Sequence, residues 1–153
     1  IAIEADDDYG SLASKLADLG ASMLIDILPA VEAGTCPRNR QEGEVSHAPK
    51  LGKEEMLIDW NCPASAIHNR VRALSPLPGA RTRLRGKELI LLRSEIGSKT
   101  LAPGALSVEA RQLHVGTGDG SIILKSVKPE GKNVMSVQDF INGYRIREGE
   151  VLG

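Results

Sequence analysis

Three arginines at alternate positions, Arg81, Arg83 and Arg85, are the densest concentration of chemistry in this chain. In an extended strand their side chains share one face at intervals of about 6.6 Å, because successive residues point to opposite sides. No acidic residue is interleaved among them. Such a row can grip a polyanion, each guanidinium offering two parallel donors to phosphate oxygens. It can equally protect an edge strand against aggregation by like charge. The other reactive residue types are scattered. His47, His68 and His114 lack the spaced carboxylate or cysteine that a triad or metal set requires. Cys36 and Cys62 stand apart without Cys-x-x-Cys spacing, which suits a reducing cytoplasm and argues against a zinc site or redox pair. Asp6-Asp7-Asp8 fits the start of a helix, where exposed N–H groups favour negative charge, better than a metal site. Asp119, flanked by glycines, reads as a turn residue, and residues 116–120 lack the Gly-Lys-Ser/Thr of a phosphate loop. These residues describe a binding module rather than a complete enzyme.

Charge is distributed unevenly. Up to Met56 there are 11 acidic and 5 basic residues, and from Leu57 onward 9 acidic and 14 basic, so a whole-chain charge of −1 conceals an acidic front and a basic back. A basic segment of this kind is a hint of nucleic-acid contact. Besides the arginine row, the candidate phosphate contacts are Lys50 and Lys53, Arg70 and Arg72, Lys87, Lys125, Lys128 and Lys132. With one Trp, two Tyr and one Phe, there is little material for stacking bases, and aliphatic side chains must fill the core. No apolar run approaches the roughly 20 residues that span a bilayer, and no signal-peptide pattern opens the chain.

The elements that must position these residues are legible from periodicity and turn chemistry. Residues 1–5 alternate like a short strand. Leu12, Leu16, Leu19, Met23 and Ile27 then form one helical stripe, with Pro29 ending or kinking the helix and Gly34 following a short extra turn. A single strand cannot cover that stripe, so its partners are expected upstream of Ile1. Residues 35–47 are polar and turn-rich, as in a linker. A second helix, capped by Asp59 or Asn61 with Pro63 in its first turn, buries Ala64, Ile67, Val71 and Leu74. Beyond Pro78-Gly79, short strands follow with turns every 8–12 residues: a hairpin about Gly86, strands over 104–108, 112–115 and 122–127, and a bulge or two-sided burial in the last. Ser136 to Asp139 forms a capping box that opens a last helix. The architecture expected is mainly β with flanking helices: a small antiparallel, OB-like Greek-key barrel, preceded by a strand-helix remnant of an α/β domain. The divisions are 1–34, a linker over 35–52, and the barrel over 53–153.

Several stretches resemble the methionyl-tRNA formyltransferase family. Ala48-Pro49-Lys50-Leu51, Lys53-Glu54-Glu55 and Ile58-Asp59-Trp60 are similar to its linker and the start of its C-terminal domain. The likeness continues through Pro76-Leu77-Pro78-Gly79-Ala80, Ala102-Pro103-Gly104, Thr117-Gly118-Asp119-Gly120, Gly131-Lys132, Met135-Ser136 and Gln138-Asp139-Phe140. The front, from Asp7-Asp8-Tyr9-Gly10-Ser11-Leu12 to Leu28-Pro29-Ala30, resembles the last strand and helix of its catalytic domain.

The resemblance implies a parent enzyme that passes a formyl group from 10-formyltetrahydrofolate to the amino group of methionine on initiator tRNA. It implies a monomer of the bacterial cytoplasm or an organelle matrix. The family's catalytic Asn, His and Asp and its folate pocket lie upstream of the equivalent of Ile1, so no catalytic residue and no cofactor site is expected in these residues, which alone should be inactive. Their implied task is to hold and position the tRNA, with Lys50, Lys53 and Lys132 at motif-matched places and the other cations resting on charge pattern. The alternative is the C-terminal domain of another folate-dependent formyl-transferring enzyme, acting as a structural or interaction module.

Overall fold

The computed structural model describes residues 1–153. Helix α1 (Tyr9–Glu32) begins as its carboxylates suggest: Asp8 Oδ1 accepts from the Ser11 amide at 2.8 Å, and Ser11 Oγ accepts from the Asp8 amide at 3.1 Å. Both donors would otherwise be orphaned at the helix end. Pro29 lies inside the last turns of α1 and residues 30–32 continue the helix beyond it. None of the α1 residues is buried, and Leu16, Leu19, Met23 and Ile27 each keep 40–60% of their surface exposed.

The strand expected over residues 1–5 does not form. Strand hydrogen bonds need a neighbouring edge, and none lies beside this stretch. Glu4 to Asp7 close a turn instead, with the Asp7 amide donating to the Glu4 carbonyl at 3.1 Å. Residues 35–52 have no helix or strand and are almost entirely exposed.

The rest packs as a barrel capped by two helices. Six strands alternate with turns: β1 (Ala80–Leu84), β2 (Lys87–Gly97), β3 (Leu106–Glu109), β4 (Gln112–Gly116), β5 (Ser121–Pro129) and β6 (Met135–Ser136). All ladders are antiparallel, in the order β1-β2-β5-β4-β3, with β6 beside β5. Strands β3, β4 and β5 follow one another through hairpins while β2 returns to lie beside β5, a Greek-key arrangement. The C-terminal residues shut the barrel. Leu152 bridges Leu84, Val151 bridges Ala105, and the Gly153 amide donates to the Arg83 carbonyl at 3.1 Å. The expected bulge lies between β2 and β5, where the register slips at Leu91, Arg93 and Ser94.

Helix α2 (Ala64–Leu74) buries Ala64, Ile67, Val71 and Leu74, the stripe read from its spacing, and α3 (Val137–Tyr144) buries Val137 and Phe140. They join Leu89, Leu91, Leu113, Val115, Ile122, Leu124 and Val127 in an overwhelmingly aliphatic core. Trp60 is buried beside them, its indole N–H donating to Thr82 Oγ1 at 3.1 Å, which satisfies its one polar atom.

The cap of α2 differs from expectation. Pro63 occupies the capping position and offers no side-chain acceptor; Asp59 Oδ1 is engaged by the Asn61 amide at 3.0 Å and the Asn61 side chain at 2.9 Å. The Ala64 amide donates to Asp119 Oδ1 at 2.8 Å, across 55 positions. Asp119 can reach because the turn carrying it lies flat on residues 61 and 62. The Gly118 amide donates to the Cys62 carbonyl at 2.9 Å, and a Cβ on Gly118 would collide with the Asn61 carbonyl. The Thr117-Gly118-Asp119-Gly120 motif therefore ties the barrel to α2 and cradles no phosphate.

Candidate nucleic-acid interface

Two of the three arginines stand as the alternation requires. Arg81 and Arg83 point outward from β1 while Ala80, Thr82 and Leu84 point in. Arg85 does not complete the row. It lies in the hairpin turn, with φ of 51° at Arg85 and 77° at Gly86, the pair of positive values that a two-residue hairpin needs to match strand twist. The turn swings its guanidinium to the C-terminal segment, where Nε and Nη2 donate to the two oxygens of Glu150 at 2.8 and 2.9 Å. Arg81 is paired as well, Nη1 lying 2.9 Å from Glu88 Oε2 on the neighbouring strand. The ladder of three free guanidiniums is thus corrected to one: Arg83 alone is exposed with no carboxylate partner. Opposite charge arrives across the hairpin and from the C-terminus, which inspection along one strand cannot show.

The other candidates divide in the same way. Arg70 donates to the carbonyls of Glu55 and Leu57 at 3.1 and 3.5 Å, so it braces the linker end against α2. Arg72 gathers the carbonyls of Glu4, Ala5 and Asp7 at 3.2, 2.7 and 3.0 Å, fastening the front segment to the barrel. Lys125 lies 2.7 Å from Glu95 on the adjacent strand. Lys50, Lys53, Lys87, Lys128 and Lys132 are exposed, with no ion pair.

Register brings some of these together. Arg81, Ile90 and Lys128 face outward in one row across β1, β2 and β5, and Arg83 is opposite Glu88 in the next. Leu57 lies beside Arg81 in a short parallel pairing, and the Ile58 amide donates to the Arg81 carbonyl at 2.9 Å. The linker end carrying Lys53 therefore runs into the edge of the same face. At the hairpin end, Lys87 and Lys132 line one cleft with Arg85 and the Phe140–Tyr144 ring pair. Arg93, absent from the sequence candidates, is an exposed, unpaired cation beside the bulge of β2, opposite Ser126. Only the irregular register, invisible in alternation, turns it outward. Arg72 and Lys125 lie apart from this face, around a cleft that also holds Asp6, Asp8 and Glu95.

Burial and pairing tune the titrating groups. His114 and His68 are pushed below the ordinary imidazole value chiefly by burial, aided by Lys99 beside the first and Arg72 beside the second. His68 Nδ1 sits 3.0 Å from Ser94 Oγ. Neither histidine faces a carboxylate in the geometry of a base and its orienter, and no three His, Cys, Asp or Glu residues are grouped to hold a metal ion. Both cysteines are free thiols. No helix is long and apolar enough to cross a membrane.

Residues 50–145 match the family described as formyl transferase, C-terminal domain. The chain belongs to that family. Among curated relatives, the methionyl-tRNA formyltransferase of Solibacter usitatus is 41% identical over 99% of this chain and 49% of its own length. That of Dictyoglomus turgidum is 39% identical over 98% of this chain and 50% of its own length. The chain thus spans about half the length of the curated relatives it matches. Among solved structures, HypX from Aquifex aeolicus superposes with a TM-score of 0.71 at 18% identity, over 90% of this chain and 26% of that one. A second HypX structure, in complex with tetrahydrofolic acid, gives 0.64 at 20% identity over 83% of this chain and 23% of its own. At such identities the likeness establishes a shared fold.

Proposed function

We propose that this chain is the tRNA-holding half of a methionyl-tRNA formyltransferase, a protein of the bacterial cytoplasm or an organelle matrix. The observation that carries the reading is the convergence of unpaired cations at one end of a formyl transferase C-terminal barrel. Arg83, Lys87, Lys128 and Lys132 stand on or beside the β1-β2-β5 face, and the linker end that carries Lys53 runs to its edge. Cations without internal partners have no Coulomb attraction to lose when they meet phosphate. Contacts of this kind fix the register and orientation of an RNA without reading its sequence. On this reading the RNA is initiator methionyl-tRNA and the co-substrate of the complete enzyme is 10-formyltetrahydrofolate, a reading supported by curated relatives named methionyl-tRNA formyltransferase at near-40% identity.

We do not place that co-substrate in the roomiest cleft of these residues. The roomiest, about 690 Å³, is lined mainly by charged side chains, among them Asp6, Asp8, Arg72, Arg93, Glu95 and Lys125. A pteridine ring needs an apolar slot with a few placed polar groups. On this reading proton transfer and formyl delivery belong to other residues of the parent, and positioning to these.

A mobility-shift titration of initiator methionyl-tRNA with this chain tests the reading. With about six phosphates engaged, affinity is expected to fall roughly a thousandfold between 50 and 200 mM salt. Absence of binding at the lower salt would leave the chain as a structural module of another formyl-transferring enzyme.

A further inference from the structure

The sequence contains few aromatic residues, yet the fold gathers two of its four non-adjacent aromatics at one cation-rich cleft. Phe140 and Tyr144 stand one helical turn apart on α3, ring centroids 4.7 Å apart and planes inclined by 38°. Phe140 is 1% exposed, so it braces the ring of Tyr144, and Tyr144 is the aromatic surface that reaches solvent. The cleft beside them has a volume of about 210 Å³. That is below the roughly 300 Å³ at which pockets for drug-sized ligands begin, and suits one flat ring system. Its rim carries Lys87, from the start of β2, and Lys132, from the turn after β5. Neither lysine has a carboxylate partner. Of the rim's own acids, Glu88 is paired with Arg81, and Glu130 accepts from the Glu88 amide at 3.2 Å.

We propose that this cleft takes a single unpaired nucleotide of a bound RNA, with the base against Tyr144 and the flanking phosphates on Lys87 and Lys132. The inference rests on the tRNA-holding reading and deepens it from charge contact to a stacking site. An aromatic face next to unpaired cations is what unstacked RNA bases and their phosphates recognise together, whereas a paired duplex keeps its bases covered. Arg85 contributes the wall of the cleft, since its guanidinium is held by Glu150 and by the Tyr144 carbonyl at 3.0 Å. That same bond anchors the end of α3, and so fixes where the Tyr144 ring stands.

The test measures binding by fluorescence anisotropy to three probes: an unstructured adenosine RNA of roughly eight nucleotides, within the site size of barrels of this kind, a blunt RNA duplex, and initiator tRNA. Tyr144→Leu, which keeps apolar bulk and removes the ring, is expected to weaken the single strand about tenfold and to leave the duplex within a factor of about two. Tyr144→Phe retains binding to all three, a control that separates lost stacking from lost folding. Lys87→Gln with Lys132→Gln, both at exposed positions, weakens the single strand and flattens its salt dependence. Unchanged single-strand binding in Tyr144→Leu, equal loss on strand and duplex, or no single-strand binding by the unaltered chain would each overturn the nucleotide site. tRNA binding retained alongside any of these results leaves the positioning reading standing. Single-strand binding without tRNA binding does the reverse.

Discussion

Arg85 and Glu150 meet end-on across 65 positions, two parallel hydrogen bonds of 2.8 and 2.9 Å joining the β1–β2 turn to the C-terminal segment that shuts the barrel. Glu150 is held below the ordinary carboxylate value, first by the Arg147 amide and then by this guanidinium. The pair is a fastening of the fold at the place where β1 and β3 would otherwise expose their edges. Arg85→Ala is expected to cost about 1 kcal/mol, near the top of the range for solvent-accessible pairs because the contact is bidentate. Thermal unfolding should show a midpoint lower by a few degrees, with Glu150→Gln close behind. An unaltered midpoint combined with lost tRNA binding would restore Arg85 to the interface.

Arg83, Lys87 and Lys128 carry no such fastening. Replacing all three with Ala is expected to leave thermal stability unchanged and to lower the slope of log affinity against log salt by roughly two to three, about one for each phosphate contact removed. Titration of initiator tRNA at several salt concentrations checks this. A parallel shift of the line, with the same slope, would remove these side chains from phosphate contact.

Asp119 acts as a cap delivered from another element. Asp119→Ala should lower stability by about 1 kcal/mol, the usual worth of a helix cap, through loss of the acceptor for the Ala64 amide. Asp119→Asn, which keeps an oxygen there, should recover most of it. Gly118→Ala should be worse than either, because its Cβ meets the Asn61 carbonyl with no flexible atom to give way. Urea unfolding of the three variants orders them, and an Asp119→Ala as stable as the parent would dismiss the remote cap.

Asp7 has its carboxyl lowered from 3.8 to about 2, chiefly by the Lys15 ammonium at 2.7 Å, then by the Glu4 amide and the Ser11 hydroxyl. A carboxyl more acidic folded than unfolded favours the folded state when ionised. Its contribution is therefore complete above about pH 4 and disappears as the pH falls towards 2. Helix content followed by circular dichroism should drop over that window as the start of α1 loosens, and Asp7→Asn should already show the loosened state at pH 7. A profile identical in parent and variant would rule the contact out.

What depends on neighbours along the chain is legible in the sequence itself. The α1 and α2 stripes, the Ser136 cap, the hairpin at Gly86 and the aliphatic core all follow from periods of 3.6 and 2 and from the backbone freedom of particular residues. The motif resemblance located the family from tetrapeptides alone. What depends on residues far apart in sequence was not readable. Glu88 and Glu150 neutralise two of three arginines from a paired strand and from the C-terminus, Asp119 caps a helix 55 positions away, and the bulge turns Arg93 outward. The residues 1–5 alternate like a strand but have no edge to join, since alternation marks a capacity to pair and pairing requires a partner. Local pattern thus decided where helices form, which stretches are able to pair as strands and which face of each element is apolar. Only tertiary placement decided which charges remain free to meet an RNA, because an ion pair is settled by distance in space and not by spacing along the chain.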